Sequence, residues 1–185
     1  MCATGSVCPR PGRWPPVSTP RPSRGCRRRS GREDRTVRFE GTFTLPLPVD
    51  QAWLALQAVE TVSGCLPGAE GVRQLGPDRY SGQVRVRLGP IQALFDLTGT
   101  VQPDGATRTL RVDLQGRERL TGTLVEGTFV VRLEPVGQET RGAYALDLVL
   151  RGKLGQLGQA VYQDVAQRMT RETITCLQSR LSAAR

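Results

Sequence analysis

No histidine occurs among the 185 residues. Ser–His and Cys–His dyads, imidazole-ligated metals and a histidine general base are therefore excluded. Lysine is almost as scarce, since of 26 basic residues only Lys153 is not arginine. An excess this lopsided reads as a GC-rich coding sequence rather than a design for phosphate recognition. The sequence also lacks the run of roughly 18 apolar residues that would predict a transmembrane helix, and its N-terminus lacks the shorter apolar run of a signal peptide. The expected compartment is the cytoplasm. Cysteines are few: Cys2, Cys8 and Cys26 lie near the N-terminus, leaving Cys65 and Cys176 with no paired spacing. That pattern predicts neither a disulfide framework nor a zinc site.

Charge is unevenly spread. Residues 1–36 hold nine arginines against Glu33 and Asp34, or +7, which leaves +2 of the total +9 for the rest of the chain. The same segment carries six of the thirteen prolines and almost no aliphatic residues. It cannot bury enough apolar area to offset its ordering entropy, so disorder is expected over 1–36 and a folded domain over 37–185. Two readings of the segment stand: a basic tail for anionic lipid or nucleic acid, or a start codon assigned too far upstream. Val37 stands where the domain begins and valine codons serve as bacterial starts, which favours the second. No nucleic-acid partner is expected.

From Val37 the pattern changes. Val37, Phe39, Gly41, Phe43 and Leu45 alternate with polar residues as far as Pro46 and Pro48, which predicts a strand. Helical spacings of Trp53, Leu54, Leu56, Val59, Val62 and Leu66 predict two short helices, meeting near Gln57–Glu60 and ending at Pro67-Gly68. Turn signals at Gly76-Pro77-Asp78, Gly89-Pro90, Pro103-Asp104-Gly105, Gly116–Gly122 and Gly137–Glu139 divide the next eighty or so residues into strands with alternating apolar positions, such as Val84, Val86 and Leu88. This is an antiparallel meander with one dry face. Leu154, Leu157, Val161, Val165, Met169, Cys176 and Leu181 recur at steps suited to one long amphipathic C-terminal helix. The predicted fold class is α+β: a curved antiparallel sheet of about seven strands wrapped around that helix, with two short helices after strand 1. A curved sheet and one helix close imperfectly, so a cavity lined by aliphatic groups is expected between them.

Motifs of catalysis are mostly missing. Cys65, in the stretch Gly64–Val72 (GCLPGAEGV), has no base among its neighbours Ser63 and Gly64, and reads as structural or pocket-lining. Leu88–Phe95 (LGPIQALF) lacks the spacing of a phosphate loop and reads as a tight hairpin. Gly152, Gly155 and Gly158 allow close approach to the sheet or to a ligand, or serve helix entry alone. Lys153 with Arg151 suits a polar head group, or only solubility. No catalytic residue and no metal ligand is assigned.

Four stretches in order, FEGTFTLPLPVDQAWLAL, GCLPGAEGV, YSGQVRVRLGPI and LRGKLGQLG, resemble the CoxG-like family, the G subunit of carbon monoxide dehydrogenase, within the SRPBCC or START-like helix-grip superfamily. The likeness runs from about Val37 to Leu181. It implies a non-catalytic accessory protein of a molybdenum-containing carbon monoxide dehydrogenase-type hydroxylase. The implied ligand is a quinone such as menaquinone, or a lipid, held without covalent attachment in a hydrophobic cavity. Membrane recruitment or electron transfer would follow, with peripheral placement at the inner face of the plasma membrane; some relatives carry a C-terminal membrane anchor, and this sequence stops at Arg185 without one. The residues expected to line the cavity are Leu66, Pro67, Val86, Leu88, Phe95, Leu97, Leu146, Leu157 and Val161, each of which suits the core equally well. A START-like cyclase or hydrolase using carboxylates or Tyr80, Tyr144 or Tyr162 in the same cavity, or a general lipid carrier, is the competing reading.

Overall fold

A computed structural model describes residues 34–183, without the side chain of residue 183. The expected disorder of residues 1–33 lies outside them. Strand β1 (Asp34–Leu45) begins three residues earlier than the alternation suggests. Its extra residues are held by pairing of Asp34 with Arg151 in register and by a bond from Arg35 Nε to the Gly155 carbonyl at 2.8 Å.

Helices α1 (Val49–Gln57) and α2 (Val59–Ser63) follow. Pro48 sits just before α1, where its missing N–H costs nothing and its ring presets the entry, and Asp50 in the first turn suits the helix dipole. α2 stops at Ser63, short of the expected Pro67-Gly68. Residues 62–69 instead form successive tight turns, with Cys65 N–H on Val62 O, Leu66 N–H on Ser63 O and Ala69 N–H on Leu66 O.

Strands β2 (Ala69–Gln74), β3 (Arg79–Leu88), β4 (Ile91–Asp104), β5 (Thr109–Glu118), β6 (Leu124–Val136) and β7 (Glu139–Arg151) form the expected meander. The order across the sheet is β1-β7-β6-β5-β4-β3-β2, every neighbour antiparallel, so α1 and α2 carry the chain from one edge to the other. One boundary differs from expectation: β5 runs through Gly116 to Glu118, and the turn lies beyond it. A Cβ on Gly116 would collide with the Asp96 carbonyl and come within 2.7 Å of Leu97 Cδ2, so this glycine serves close packing across strands and not a turn.

The C-terminal helix also differs. Lys153–Gln156 form a separate 3-10 turn, Leu157 is extended, and α3 proper is Gln159–Ala183. Gly152 at φ 135 and the glycines at 155 and 158 make that break inexpensive. α3 is roughly 37 Å long at 1.5 Å per residue. It is fastened to both sides of the sheet: Gln178 Nε2 donates to Thr44 O at 2.7 Å, and an Arg168 guanidinium N–H to Arg87 O at 3.3 Å.

Two side chains expected to be unpaired are joined. Cys65 and Cys176 form a disulfide with a Cα–Cα distance of 5.4 Å, tying the turn after α2 to α3. They stand 111 positions apart in the sequence, and no spacing rule could pair them. Arg180 reinforces the junction by donating to Gly64 O at 3.0 Å.

Candidate ligand-binding site

Strand alternation turns one face of the sheet toward α3, and the buried apolar residues on it fall into two separate groups. One surrounds the start of α3 and includes Phe95, Val125, Leu150, Tyr162 and Val165. The other lies under α1 and the end of α3 and includes Leu45, Leu56, Val131, Leu133 and Leu177. Met169 packs against the first and Cys176 against the second; the turns of α3 between them join neither.

Opposite this gap the sheet floor is low. Glycines face inward beside large side chains of adjacent strands that lie over them: Tyr144 over Gly41, Phe43 over Gly142, and Leu148 over Gly127. Leu114 on β5 and Leu146 on β7 point inward and are half-buried, yet pack against neither group. Inward apolar side chains left half-open in this way make an incompletely covered apolar floor, a shallow hollow, on the face toward α3.

The nine expected lining residues divide accordingly. Leu88 and Phe95 belong to the packed core, 3 % and 7 % exposed. Leu97, Leu157 and Val161 are half-buried against the first group, and Leu146 faces the hollow. Leu66 is half-buried in the turns after α2. Pro67 and Val86 meet at a recess of about 240 Å³ beside β3. β2, which begins at Ala69, does not reach this far along β3, and the Pro67-Gly68 corner that precedes it takes its place: the carbonyl of Gly68, at φ 75, accepts the Arg85 N–H at 2.8 Å. A Cβ on Gly68 would collide with the Arg85 carbonyl.

Residues that the sequence reading missed complete this recess: Arg85, Arg87, Gln92, Arg168 and Met169. Arg85 and Arg87 alternate with the inward Val84 and Val86, and such alternation looks like an ordinary solvated face. Arg151 and Lys153, the pair considered for a head group, lie elsewhere, and Arg151 is engaged by Glu126 at 2.9 Å and Asp34 at 3.3 Å. A larger recess, about 390 Å³, is an open groove on the face away from α3, with Asp113, Glu126 and Asp147 on its walls.

The polar groups of the inner face have separate fates. Burial alone would push the Glu118 carboxyl up, but the Thr121 hydroxyl, the Thr121 N–H and the Leu120 N–H bind it and hold it below the ordinary glutamate value. This carboxylate, 1 % exposed, is spent on a turn. Burial raises the Tyr162 phenol, whose hydroxyl donates to Leu154 O. Tyr144 differs: its ring stands 6.4 Å from that of Phe43 and 6.2 Å from that of Phe129, and no described residue hydrogen-bonds its hydroxyl. Among the described residues no cluster of cysteines and carboxylates could hold a metal ion, and no helix is long and apolar enough to cross a membrane.

The model of the CoxG family, the G subunit of carbon monoxide dehydrogenase, matches residues 41–182. The chain belongs to this family. No curated protein matches it. Among solved structures, a conserved protein from Geobacillus kaustophilus is similar at a TM-score of 0.73 and 18% identity, over 80% of this chain and 97% of that one. A START superfamily protein from Mycobacterium smegmatis is similar at 0.60 and 14% identity, over 80% and 99%. An aromatase/cyclase from a Streptomyces species is similar at 0.55 and 16% identity, over 78% and 93%. At these identities the likeness is one of fold, and the fold of this CoxG family member is START-like.

Proposed function

We propose that this chain is a non-catalytic accessory protein of a molybdenum-containing carbon monoxide dehydrogenase-type oxidoreductase. It holds a lipophilic molecule, a quinone such as menaquinone or a lipid, between the sheet and α3, and so aids electron transfer or recruitment to the membrane. The observation that carries this reading is the half-open apolar floor between two separate cores, with Leu114 and Leu146 packed against neither. Covering such a surface with a prenyl or acyl chain is favourable at about 25 cal/mol per Å² of apolar area without any specific polar contact. The commitment of Glu118 to its turn leaves that carboxylate no role as an acid or base, which favours a carrier over a cyclase or hydrolase.

Solvent extraction of the purified protein followed by mass spectrometry tests the reading, together with binding of added menaquinone. A prenylated or acyl ligand in the extract, or saturable binding of menaquinone, is the expected result. Repeated extraction of nothing, combined with no binding, would overturn it. Purification of the chain together with the large, medium or small subunit of a dehydrogenase is the corresponding test of the partner.

A further inference from the structure

Residues 58–68 form a strap from α1 to β2 that includes α2, and of these residues only Cys65 is fully buried. Three bonds fasten the strap. Cys65 is joined to Cys176 of α3, an Arg180 guanidinium N–H of α3 donates to Gly64 O at 3.0 Å, and Gly68 O accepts the Arg85 N–H of β3 at 2.8 Å. Both ties to α3 thus lie at the Gly64-Cys65 step. Beyond it strap and helix part, since Pro67 and Gly68 share the walls of a recess of about 240 Å³ with Arg168 and Met169. The strap ends at the open floor. Ala69, the next residue, pairs with Val84, which faces inward on β3, is half-buried and, like Leu114 and Leu146, packs against neither buried group. Cys176 in turn closes the stretch of α3 after Met169 that joins neither group.

We propose that the Cys65–Cys176 bond is a redox-operated clasp that sets how fast a lipophilic ligand passes beneath α3, without setting how tightly it is held. The proposal rests on the lipophilic-ligand reading and names the regulation of the same site. A dithiol reductant opens the clasp. One of its thiolates attacks the Cys176 sulfur, because Cys176 is half-buried whereas Cys65 is only 5 % exposed. The S–S bond breaks, and Cys65 leaves as a thiolate that takes up a proton. The second thiol of the reductant then displaces the Cys176 sulfur, so two electrons and two protons have passed to the protein and the reductant departs as a cyclic disulfide. The strap is then held to α3 by the Arg180 bond alone, and it has a pivot at each end: Ala58, extended between two helices, and Gly68 at φ 75. Opening of the strap eases entry and exit alike. The closed state and its contacts with the ligand are the same in both forms, so affinity stays. A reducing compartment therefore lets the ligand exchange freely, and an oxidising one retains it.

Release of menaquinone from the loaded full chain into excess phosphatidylcholine vesicles, timed by stopped flow before and after reduction with dithiothreitol, tests the clasp; oleate is the second probe. Release is expected to quicken at least about tenfold on reduction, with the dissociation constant unchanged to within about twofold. Arg180→Gln should add a further rise in the reduced protein only, because in the oxidised one the disulfide already holds the strap. Cys65→Ser/Cys176→Ser should release at the reduced rate with or without reductant. A response to reductant that persists in that variant would come from Cys2, Cys8 or Cys26 and would overturn the clasp. Equal release rates in oxidised and reduced protein, a dissociation constant that moves with the rate, or loss of the circular dichroism of the fold on reduction would each overturn it too. Menaquinone bound by the oxidised chain would then still uphold the carrier. Failure of both probes to bind either form would sink both readings.

Discussion

Cys65 and Cys176, 111 residues apart in the chain, are bonded with their Cα atoms 5.4 Å apart. The bond joins the turn after α2 to α3 beside the second buried group, and closes most of the sheet into one covalent loop. Restricting so long a loop in the unfolded chain stabilises the fold, and its loss costs about 2–5 kcal/mol. Cys65→Ala, or exhaustive reduction, should therefore lower the denaturant midpoint markedly while ligand binding stays largely intact. Coincident unfolding curves with and without reductant would show that the bond contributes nothing. Cytoplasmic reductants would keep such a pair open, so the same comparison in cell extract reports on the compartment in which the protein works.

Glu118 makes acid sensitivity specific. Its folded pKa lies below its ordinary value of 4.5, so the stability it adds is complete above the ordinary glutamate range and fades as pH falls through the lower folded value. Glu118→Gln should cost about 1–3 kcal/mol at neutral pH, because the charge-assisted bonds to Leu120 and Thr121 weaken, and should flatten the acid limb below about pH 4.5. Asp96 and Asp113 are also held low, by Arg119 and Arg111, and remain in the variant. The difference between the two stability-versus-pH curves thus isolates Glu118. Parallel acid limbs would place the sensitivity elsewhere.

The hollow predicts an unusual response to enlargement. Adding bulk to a packed core generally costs about 1–3 kcal/mol in strain. Leu146 is half-buried and packs against neither core group, so Leu146→Trp should shift unfolding by less than about 1 kcal/mol. Menaquinone or oleate affinity should fall by more than about tenfold, since the indole takes up the space. Phe95→Trp, in the packed core, is the contrast: a clear loss of stability is expected there. Unchanged ligand affinity in Leu146→Trp would move the ligand off this face.

The meander was open to sequence reading because one face of the sheet is dry, which stamps a period of two on β3 to β7 and leaves turn residues between them. Gly116 misleads for the same reason that it matters: glycine marks both turns and places where a neighbouring strand comes close, and only the positions of the Asp96 carbonyl and the Leu97 side chain decide between them. The break at Leu157 before α3 hides in a helical spacing that continues across it. Of the expected lining residues only Pro67 and Val86 reach the recess. Its arginines are invisible in sequence because Arg87 and Arg168 lie 81 residues apart and meet only when α3 crosses the exposed edge of β3.

Tyr144 offers the sharpest test of what the hollow holds. Its ring is fixed between Phe43 and Phe129 and lies over Gly41, where a Cβ would come within 2.6 Å of the hydroxyl oxygen. No described residue bonds this hydroxyl, and since no buried side-chain oxygen among them lacks a partner, it reaches solvent and is open to an incoming acceptor. Removing the hydroxyl breaks no hydrogen bond to a described residue, so Tyr144→Phe should leave stability unchanged to within about 0.5 kcal/mol. A quinone offers a carbonyl oxygen as acceptor, and loss of that one hydrogen bond should weaken menaquinone about five- to tenfold, close to 1 kcal/mol. The affinity of a saturated hydrocarbon chain carrying no oxygen near this point should not change. Equal menaquinone affinities in Tyr144→Phe and the unaltered protein would mean that the quinone ring lies away from Tyr144 and that only its prenyl tail occupies the floor of the sheet.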